Sequence, residues 1–279
     1  MTDPVADSVA GLLQSLGENR LAWDGDRLLA RVLDCTLAQL RAFPERVVDT
    51  ERLSQWRALV DRRAAGEPYA YLVGEQEFWS LTLAVGPGVL IPRGDSELLV
   101  EAALARIDSR VSGWVADVGT GSANLALALA SERPRLTLLG IEASAPALAW
   151  AKLNCRRHRL KNICLIRARG LATIPERSLQ ALISNPPYIV EGDPDLDPAT
   201  LRFEPSSALF AAESGLSLLR ELAIEGLRVL KPGGWLLLEH GWTQGAAVLE
   251  LLRSHGYGEC RTLLDLASRP RVTLGQRQS

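Results

Sequence analysis

From Trp114 onward, short apolar runs of strand length alternate with longer stretches of helical periodicity, and this alternation limits the fold more than any other feature. The runs are Trp114 to Val118, Leu136 to Ile141, Ile163 to Ile166, Leu179 to Ile183 and Trp235 to Glu239. Helical patterns lie near Ala123 to Glu132, Pro146 to Arg157, Leu216 to Val229 and Gln244 to His255. Continuous apolar runs suit strands covered on both faces, and strands alternating with helices wind into a parallel sheet. The tail GECRTLLDLASRPRVTLGQ adds two strands and a polar loop, read as an antiparallel hairpin at the sheet edge. The predicted class is α/β, with a doubly wound, mostly parallel sheet.

Before that region the pattern differs. In DRLLARVLDCTLAQL the residues Leu28, Leu29, Val32, Leu33, Leu37 and Leu40 fall on one helical stripe. In TERLSQWRALV, Leu53, Trp56 and Val60 do the same behind Thr50 as a cap. Residues 1–73 therefore read as a small helical domain. Residues 74–93 read as a β-hairpin linker, with Phe78, Leu81, Leu83 and Val85 extended, a turn at Gly86-Pro87-Gly88 and a second strand from Val89 to Ile91. Asp95 is then expected to cap a helix carrying Leu98, Leu99 and Ala102, opening a third segment, 94–279.

Composition narrows the function classes. The chain has 279 residues, 47 % apolar and 23 % charged, with a formal net charge of -2, so no global field favours nucleic acid or an anionic membrane. Cys35, Cys155, Cys164 and Cys260 form no CxxC pair and the three histidines show no ligand spacing with them, which argues against a structural metal. The acidic, polar beginning and the lack of eighteen uninterrupted apolar residues predict a cytoplasmic protein that spans no membrane. A monomer is the default expectation.

Three motifs carry chemistry. In VADVGTGSANLALALA, Gly119 and Gly121 stand where the first strand of the alternating region turns into its helix, at the edge where open α/β sheets bind ligands. Glu142 ends the next strand, 21 residues beyond Gly121, the offset at which an acid can hold both hydroxyls of a ribose. Third, SNPPYI stops the strand Leu179 to Ile183 with Asn185, Pro186, Pro187 and Tyr188. Two prolines bar a ladder and push the backbone into extended geometry. The Asn185 side-chain oxygen and the Pro186 carbonyl can then accept both N–H groups of a planar –NH2, with the Tyr188 ring over its flat face. A DVGTG turn without GxGxxG, followed by NPPY, predicts S-adenosylmethionine as cofactor and methyl transfer to a delocalised nitrogen.

The segments GEPYAYLVGEQEFWSL, VLIPRGDSELLVE, DVGTGSANLALALASERP, SNPPYI, RFEPSSALFAAESG, LLLEHGWTQG and RVTLGQ together resemble the PrmC/HemK family of protein-(glutamine-N5) methyltransferases over nearly the whole chain. That resemblance implies a helical substrate-recognition domain, a hairpin and a seven-stranded class I methyltransferase domain. The implied substrate is the glutamine of the Gly-Gly-Gln motif in class 1 peptide-chain release factors. It also implies that Gly119, Thr120, Gly121, Ser122 and Ala123 wrap the methionine end of S-adenosylmethionine, that Glu142 holds the ribose, and that Gly170 lies near the adenine. Asn185 to Tyr188 would hold the substrate glutamine, with Asn185 also bordering the cofactor.

Two other readings remain open on the residues alone. A nucleic-acid amino-methyltransferase also uses NPPY, but should add a target-recognition insert and a basic face. A non-catalytic homologue with a weakened adenine pocket is the other, because Arg169 and Gly170 supply neither a carboxylate nor a stacking ring. The basic run CRRHRLK reads as a favourable helix C-terminus, and Glu239 with His240 as a structural hydrogen-bonded pair.

Overall fold

A computed structural model describes residues 7–16, 20–192 and 198–279. The chain divides into two compact units, Met1–Gly74 with Pro198–Phe203, and Glu75–Asp197 with Glu204–Ser279.

The first unit is helical: α1 (Val9–Ser15), α2 (Arg20–Val32), α3 (Leu37–Ala42), α4 (Thr50–Ala64) and α5 (Tyr69–Val73). Leu28, Leu29, Leu40, Leu53 and Trp56 form its core. The Trp56 indole N–H donates to the Gly25 carbonyl at 3.1 Å, which keeps a large buried ring from leaving an unpaired donor. Two expectations are corrected. The single stripe from Leu28 to Leu40 is shared by α2 and α3, because Asp34 turns left-handed (φ 50°) and Thr36 with Gln39 forms a capping box that starts a new helix. The cap of α4 is Asp49, whose carboxylate accepts the Arg52 N–H at 2.9 Å, rather than Thr50, which is already the first helical residue.

The second unit begins with the hairpin β1 (Glu75–Phe78) and β2 (Leu81–Ala84), where Phe78 pairs with Leu81. Its turn is Trp79-Ser80, both left-handed (φ 51° and 58°), a geometry whose twist matches that of paired strands. The expected turn at Gly86-Pro87-Gly88 is formed, with the Val89 N–H donating to the Gly86 carbonyl at 3.4 Å, but it joins no paired strands, and the expected strand from Val89 to Ile91 is not formed. Residues 89–93 run as a strap outside any strand ladder, and the Ile91 N–H is satisfied by the Glu204 carboxylate instead. A short 3₁₀ turn, Gly94–Ser96, leads into α6 (Glu97–Arg106). Asp95 does not cap it; the Asp95 carboxylate is drawn to Arg271 at 3.0 Å.

The sheet follows: β3 (Gly113–Val118), α7 (Asn124–Glu132), β4 (Leu136–Glu142), α8 (Ala145–His158), β5 (Ile163–Arg167) and β6 (Leu179–Ser184). A helix α9 (Pro198–Phe203) is grouped with the first unit; then come α10 (Ser217–Val229), β7 (Leu230–Glu239), α11 (Gly245–Ser254), β8 (Tyr257–Leu264) and β9 (Pro270–Arg277). The seven strands are ordered β5-β4-β3-β6-β7-β9-β8, parallel from β5 to β7, with β9 antiparallel to both β7 and β8. Alternation decides which face each strand residue covers. Ala181 and Ile183 join Leu99, Leu127 and Leu129 of α6 and α7, while Leu182 joins Leu219, Leu222 and Leu252 of α10 and α11.

The chain winds outward from β3 to β4 and β5 on one side and from β6 to β7 on the other. The winding direction reverses between β3 and β6, which are adjacent and end in the register Val118↔Ser184. Open α/β sheets bind ligands in the crevice at such a reversal. Gly119 and Asn185 each stand one residue beyond that last pair.

Candidate active site

The loop after β3 turns through three left-handed residues, Gly119 (φ 73°), Gly121 (φ 56°) and Ala123 (φ 67°). Gly119 and Thr120 both donate backbone N–H groups to the Ile141 carbonyl, tying the loop to the end of β4. A Cβ placed on Gly119 would meet nothing within 4 Å, so the backbone there lies open to a ligand. Below the loop, Asp117 accepts from the Thr120 hydroxyl. Burial pushes the Asp117 carboxyl up to about 7 against the effect of hydrogen bonds from Thr120 and the Ala126 backbone, and the Ser122 hydroxyl is buried with no hydrogen-bond partner among the described residues.

Glu142 braces the same loop from β4. Its Oε2 accepts the Gly121 N–H at 2.9 Å and its Oε1 the Ser144 N–H at 2.8 Å, where α8 begins. Each carboxylate oxygen can accept more than one hydrogen bond, so a vicinal diol can still be held. Asn154, fully buried, completes the frame: its side-chain amide donates to the Ala84 and Ser122 carbonyls and accepts the Ala84 N–H.

On the other strand, the Ser184 hydroxyl donates to the Val118 carbonyl at 2.6 Å, joining the two strand ends. Asn185 follows, and its Nδ2 donates to the Ser96 hydroxyl oxygen at 2.9 Å, which leaves Oδ1 as the free acceptor. Pro186 and Pro187 carry no N–H, and the Tyr188 carbonyl is held by Gln244 at 3.0 Å. The Tyr188 ring packs into the core and its hydroxyl donates to Glu239 at 3.3 Å.

These pieces enclose a cleft of about 730 Å³, measured out to its open mouth. Gly119, Thr120, Gly121, Ser122, Glu142, Asn185 and Pro187 line it. Ala123 and Pro186 are buried behind the lining. Tyr188 is turned toward Glu239 and does not line the cleft; its phenol needs a polar partner once the ring is buried, and Glu239 supplies one. Gly170 is not brought to the cleft either. It sits in a turn after β5 at φ 65°, where a Cβ would come within 2.9 Å of the Glu221 carboxylate.

Sequence reasoning missed the opposite wall. The strap from Gly88 to Ser96 and Pro205, Ser207 and Ala208 also line the cleft, and buried Glu204 holds the two segments together by accepting the Ile91 N–H and pairing with Arg93. The signal was present in RFEPSSALF, where an acid stands between the apolar Phe203 and a proline. Glu239 and His240 do not pair with each other: His240, the residue after β7, meets Thr273 at 2.8 Å and the Gly241 carbonyl at 2.9 Å, because successive residues of an extended chain face opposite sides. Among the described residues no cluster of side chains has a metal-binding arrangement.

A glycine turn after the central strand, an acid ending its neighbour and an Asn-Pro-Pro step across the reversal point define a class I S-adenosylmethionine-dependent methyltransferase fold. Solved structures agree on that fold: a methyltransferase from Pyrococcus furiosus has a TM-score of 0.56 at 16 % identity, covering 81 % of this chain and all of that one. The ribosomal protein L11 methylase of Lactobacillus delbrueckii has a TM-score of 0.50 at 18 % identity, over 70 % of this chain and 84 % of that one. Residues 7–74 match the PrmC N-terminal domain and residues 94–207 the methyltransferase small domain. Curated relatives called release factor glutamine methyltransferase include those of Xylella fastidiosa, 41 % identical over 99 % of this chain and 98 % of its own length, and Vibrio cholerae, 43 % identical over 95 % and 92 %. The Escherichia coli relative is 40 % identical over 91 % of each chain. The chain belongs to the release factor glutamine methyltransferase family, and S-adenosylmethionine is its cofactor.

Proposed function

We propose that this protein methylates the side-chain amide nitrogen of the glutamine in the Gly-Gly-Gln motif of class 1 peptide-chain release factors. One observation carries the reading: Asn185, its amide nitrogen already committed to Ser96, presents a free carboxamide oxygen to the same cleft as the open backbone of Gly119 and the braced Glu142. The residues present fit the cofactor, with unobstructed backbone at Gly119 for its methionine end and a carboxylate able to take two hydroxyls. When bound, S-adenosylmethionine supplies an electrophilic methyl group.

The protein's part is orientation. An amide nitrogen is a weak nucleophile because its lone pair is delocalised, so fixing it in line is the main contribution available. In this reading Asn185 Oδ1 and the Pro186 carbonyl accept the two N–H groups of the glutamine amide. No strong base is needed, since alkylation makes that nitrogen acidic. Gly119, Thr120, Gly121 and Ser122 hold the methionine end, Glu142 the ribose.

The helical unit, matching the PrmC N-terminal domain, selects the protein substrate in this reading, and the enzyme works in the cytoplasm as a monomer without nucleic acid. Among the described residues no helix is long and apolar enough to cross a membrane. Incubation with radiolabelled S-adenosylmethionine and purified release factor, followed by mass spectrometry, tests the central claim. Label on the Gly-Gly-Gln glutamine is expected; label elsewhere, or none, rejects it.

A further inference from the structure

We propose that Gln244 is a positioning residue: with Gly215 it clamps the Tyr188 carbonyl and thereby fixes the Pro186 carbonyl that receives the substrate amide. The inference rests on the methyl-transfer reading above and gives a role to two segments, AAESG and HGWTQG, that the reading does not use.

The need for a clamp follows from the prolines. Pro186 and Pro187 have ring-locked φ angles but carry no N–H, so no backbone donor pins the step from within. The residue before a proline is kept extended, which restrains Asn185 and Pro186, whereas Pro187 precedes a tyrosine and its ψ is unrestrained. A turn about that ψ swings the Pro186–Pro187 peptide, so the Pro186 carbonyl is aimed by how the two ends are held. Upstream, the Ser184 hydroxyl meets the Val118 carbonyl and Asn185 Nδ2 meets Ser96. Downstream, Ile189 donates its N–H to the Leu209 carbonyl at 2.9 Å, and its carbonyl accepts the Ala211 N–H at 3.0 Å. Tyr188 lies between, and its carbonyl is where Gln244 acts.

The Gln244 amide is used at both ends. Its Oε1 accepts the Gly241 N–H at 2.9 Å, and because a backbone N–H can only donate, the oxygen must be the end that faces it. Nε2 then has two hydrogens for two carbonyls, Tyr188 at 3.0 Å and Ser214 at 2.9 Å. One side chain thus ties together the segment after β6, the turn before α10 and the turn before α11.

Gly215 makes that reach possible. A Cβ there would collide with the Tyr188 carbonyl and with Gln244 Nε2. Glu213, Ser214 and Gly215 are left-handed in succession (φ 54°, 55° and 83°), a conformation that side-chain-bearing residues hold only where surrounding contacts impose it. The bond from Gln244 to the Ser214 carbonyl is such a contact. With Gly215 packed against it and Gln244 bonded to it, the Tyr188 peptide cannot rotate without breaking a hydrogen bond or striking the turn. Pro187, fixed on both sides, loses its remaining freedom.

The test compares wild type, Gln244→Glu, Gln244→Lys and Gly215→Ala on intact release factor, reading kcat and KM beside calorimetric binding of S-adenosylmethionine. Gln244→Glu keeps the shape and the acceptor for Gly241 but loses both donors; Gln244→Lys keeps donors for the two carbonyls and loses the acceptor. Gln244→Glu is expected to lower kcat about ten- to a hundredfold, the scale of a misplacement of roughly 1 Å, with KM and cofactor affinity within about threefold. Gln244→Lys should keep most of the rate. Gly215→Ala, which presses on the same carbonyl, should slow the reaction as Gln244→Glu does. Wild-type kcat in Gln244→Glu or in a folded Gly215→Ala overturns the proposal. So does a Gln244→Lys slower than Gln244→Glu, which would assign the role to the Gly241 contact. Cofactor affinity lost in step with kcat also overturns it, since that marks a general loosening of the fold. Should Gly215→Ala not fold, the two Gln244 variants decide alone. If the wild type methylates no release factor, the functional reading falls, and this inference with it.

Discussion

Glu142 Oε2 accepts the Gly121 N–H at 2.9 Å, so one carboxylate both shapes the loop after β3 and faces the cleft that the loop borders. Its other oxygen anchors Ser144. Removing it loses the brace and, on the proposed reading, the ribose contact together. Glu142→Ala should weaken S-adenosylmethionine binding roughly ten- to a hundredfold, in line with about 1.5–3 kcal/mol for hydrogen bonds to charged groups. An unchanged calorimetric dissociation constant would refute this role.

Glu204 ties the strap to the opposite wall through Ile91 and Arg93. Arg93 is 42 % exposed and can return to water, so the larger loss in Glu204→Ala is the Ile91 N–H left buried without an acceptor. We expect about 2 kcal/mol of lost stability in urea melts, together with weaker cofactor binding because the wall loosens. A loss below about 0.5 kcal/mol would show that water replaces the carboxylate freely.

Asp117 is buried and its carboxyl is raised to about 7, chiefly by desolvation. A carboxyl raised in the folded state favours folding fully below its unfolded value, and that contribution is lost as pH rises through the folded one. At pH 8 the charged form is therefore a burden that Asp117→Asn removes, whereas at pH 4 to 5 the wild type is already neutral. The variant should melt about 3 °C or more above wild type at pH 8 and show little gain near pH 4.5. Equal shifts at both pH values would assign the effect to packing.

Gly170 occupies a left-handed turn beside Glu221. Gly170→Ala should cost about 1 kcal/mol, because the Glu221 tip can swing away but the backbone strain cannot be relieved. Larger residues should cost more. A stabilised Gly170→Trp with tighter cofactor binding, measured by thermal melts and titration, would mean that this turn rearranges to cover the adenine.

The sequence alone determined the sheet and its edges. Runs such as Leu179 to Ile183 are too apolar and too short for surface helices, and the structure keeps all five predicted parallel strands and the antiparallel tail. It also marked Gly119, Glu142 and Asn185, whose spacing follows from the length of a strand–helix unit. What lay beyond it were choices settled by partners distant in the chain. The turn at Gly86-Pro87-Gly88 formed as its residues suggest, but the paired hairpin closes at Trp79-Ser80, because Phe78↔Leu81 finds a ladder partner and Val89 to Ile91 finds none. Tyr188 left the cleft for Glu239, 51 residues away, and Ser96 reached Asn185 across 89. Local pattern reports which face is buried. Only the tertiary fold brings buried polar groups to distant partners, because an unpaired donor or acceptor in the core costs about 1–3 kcal/mol, more than most local propensities return.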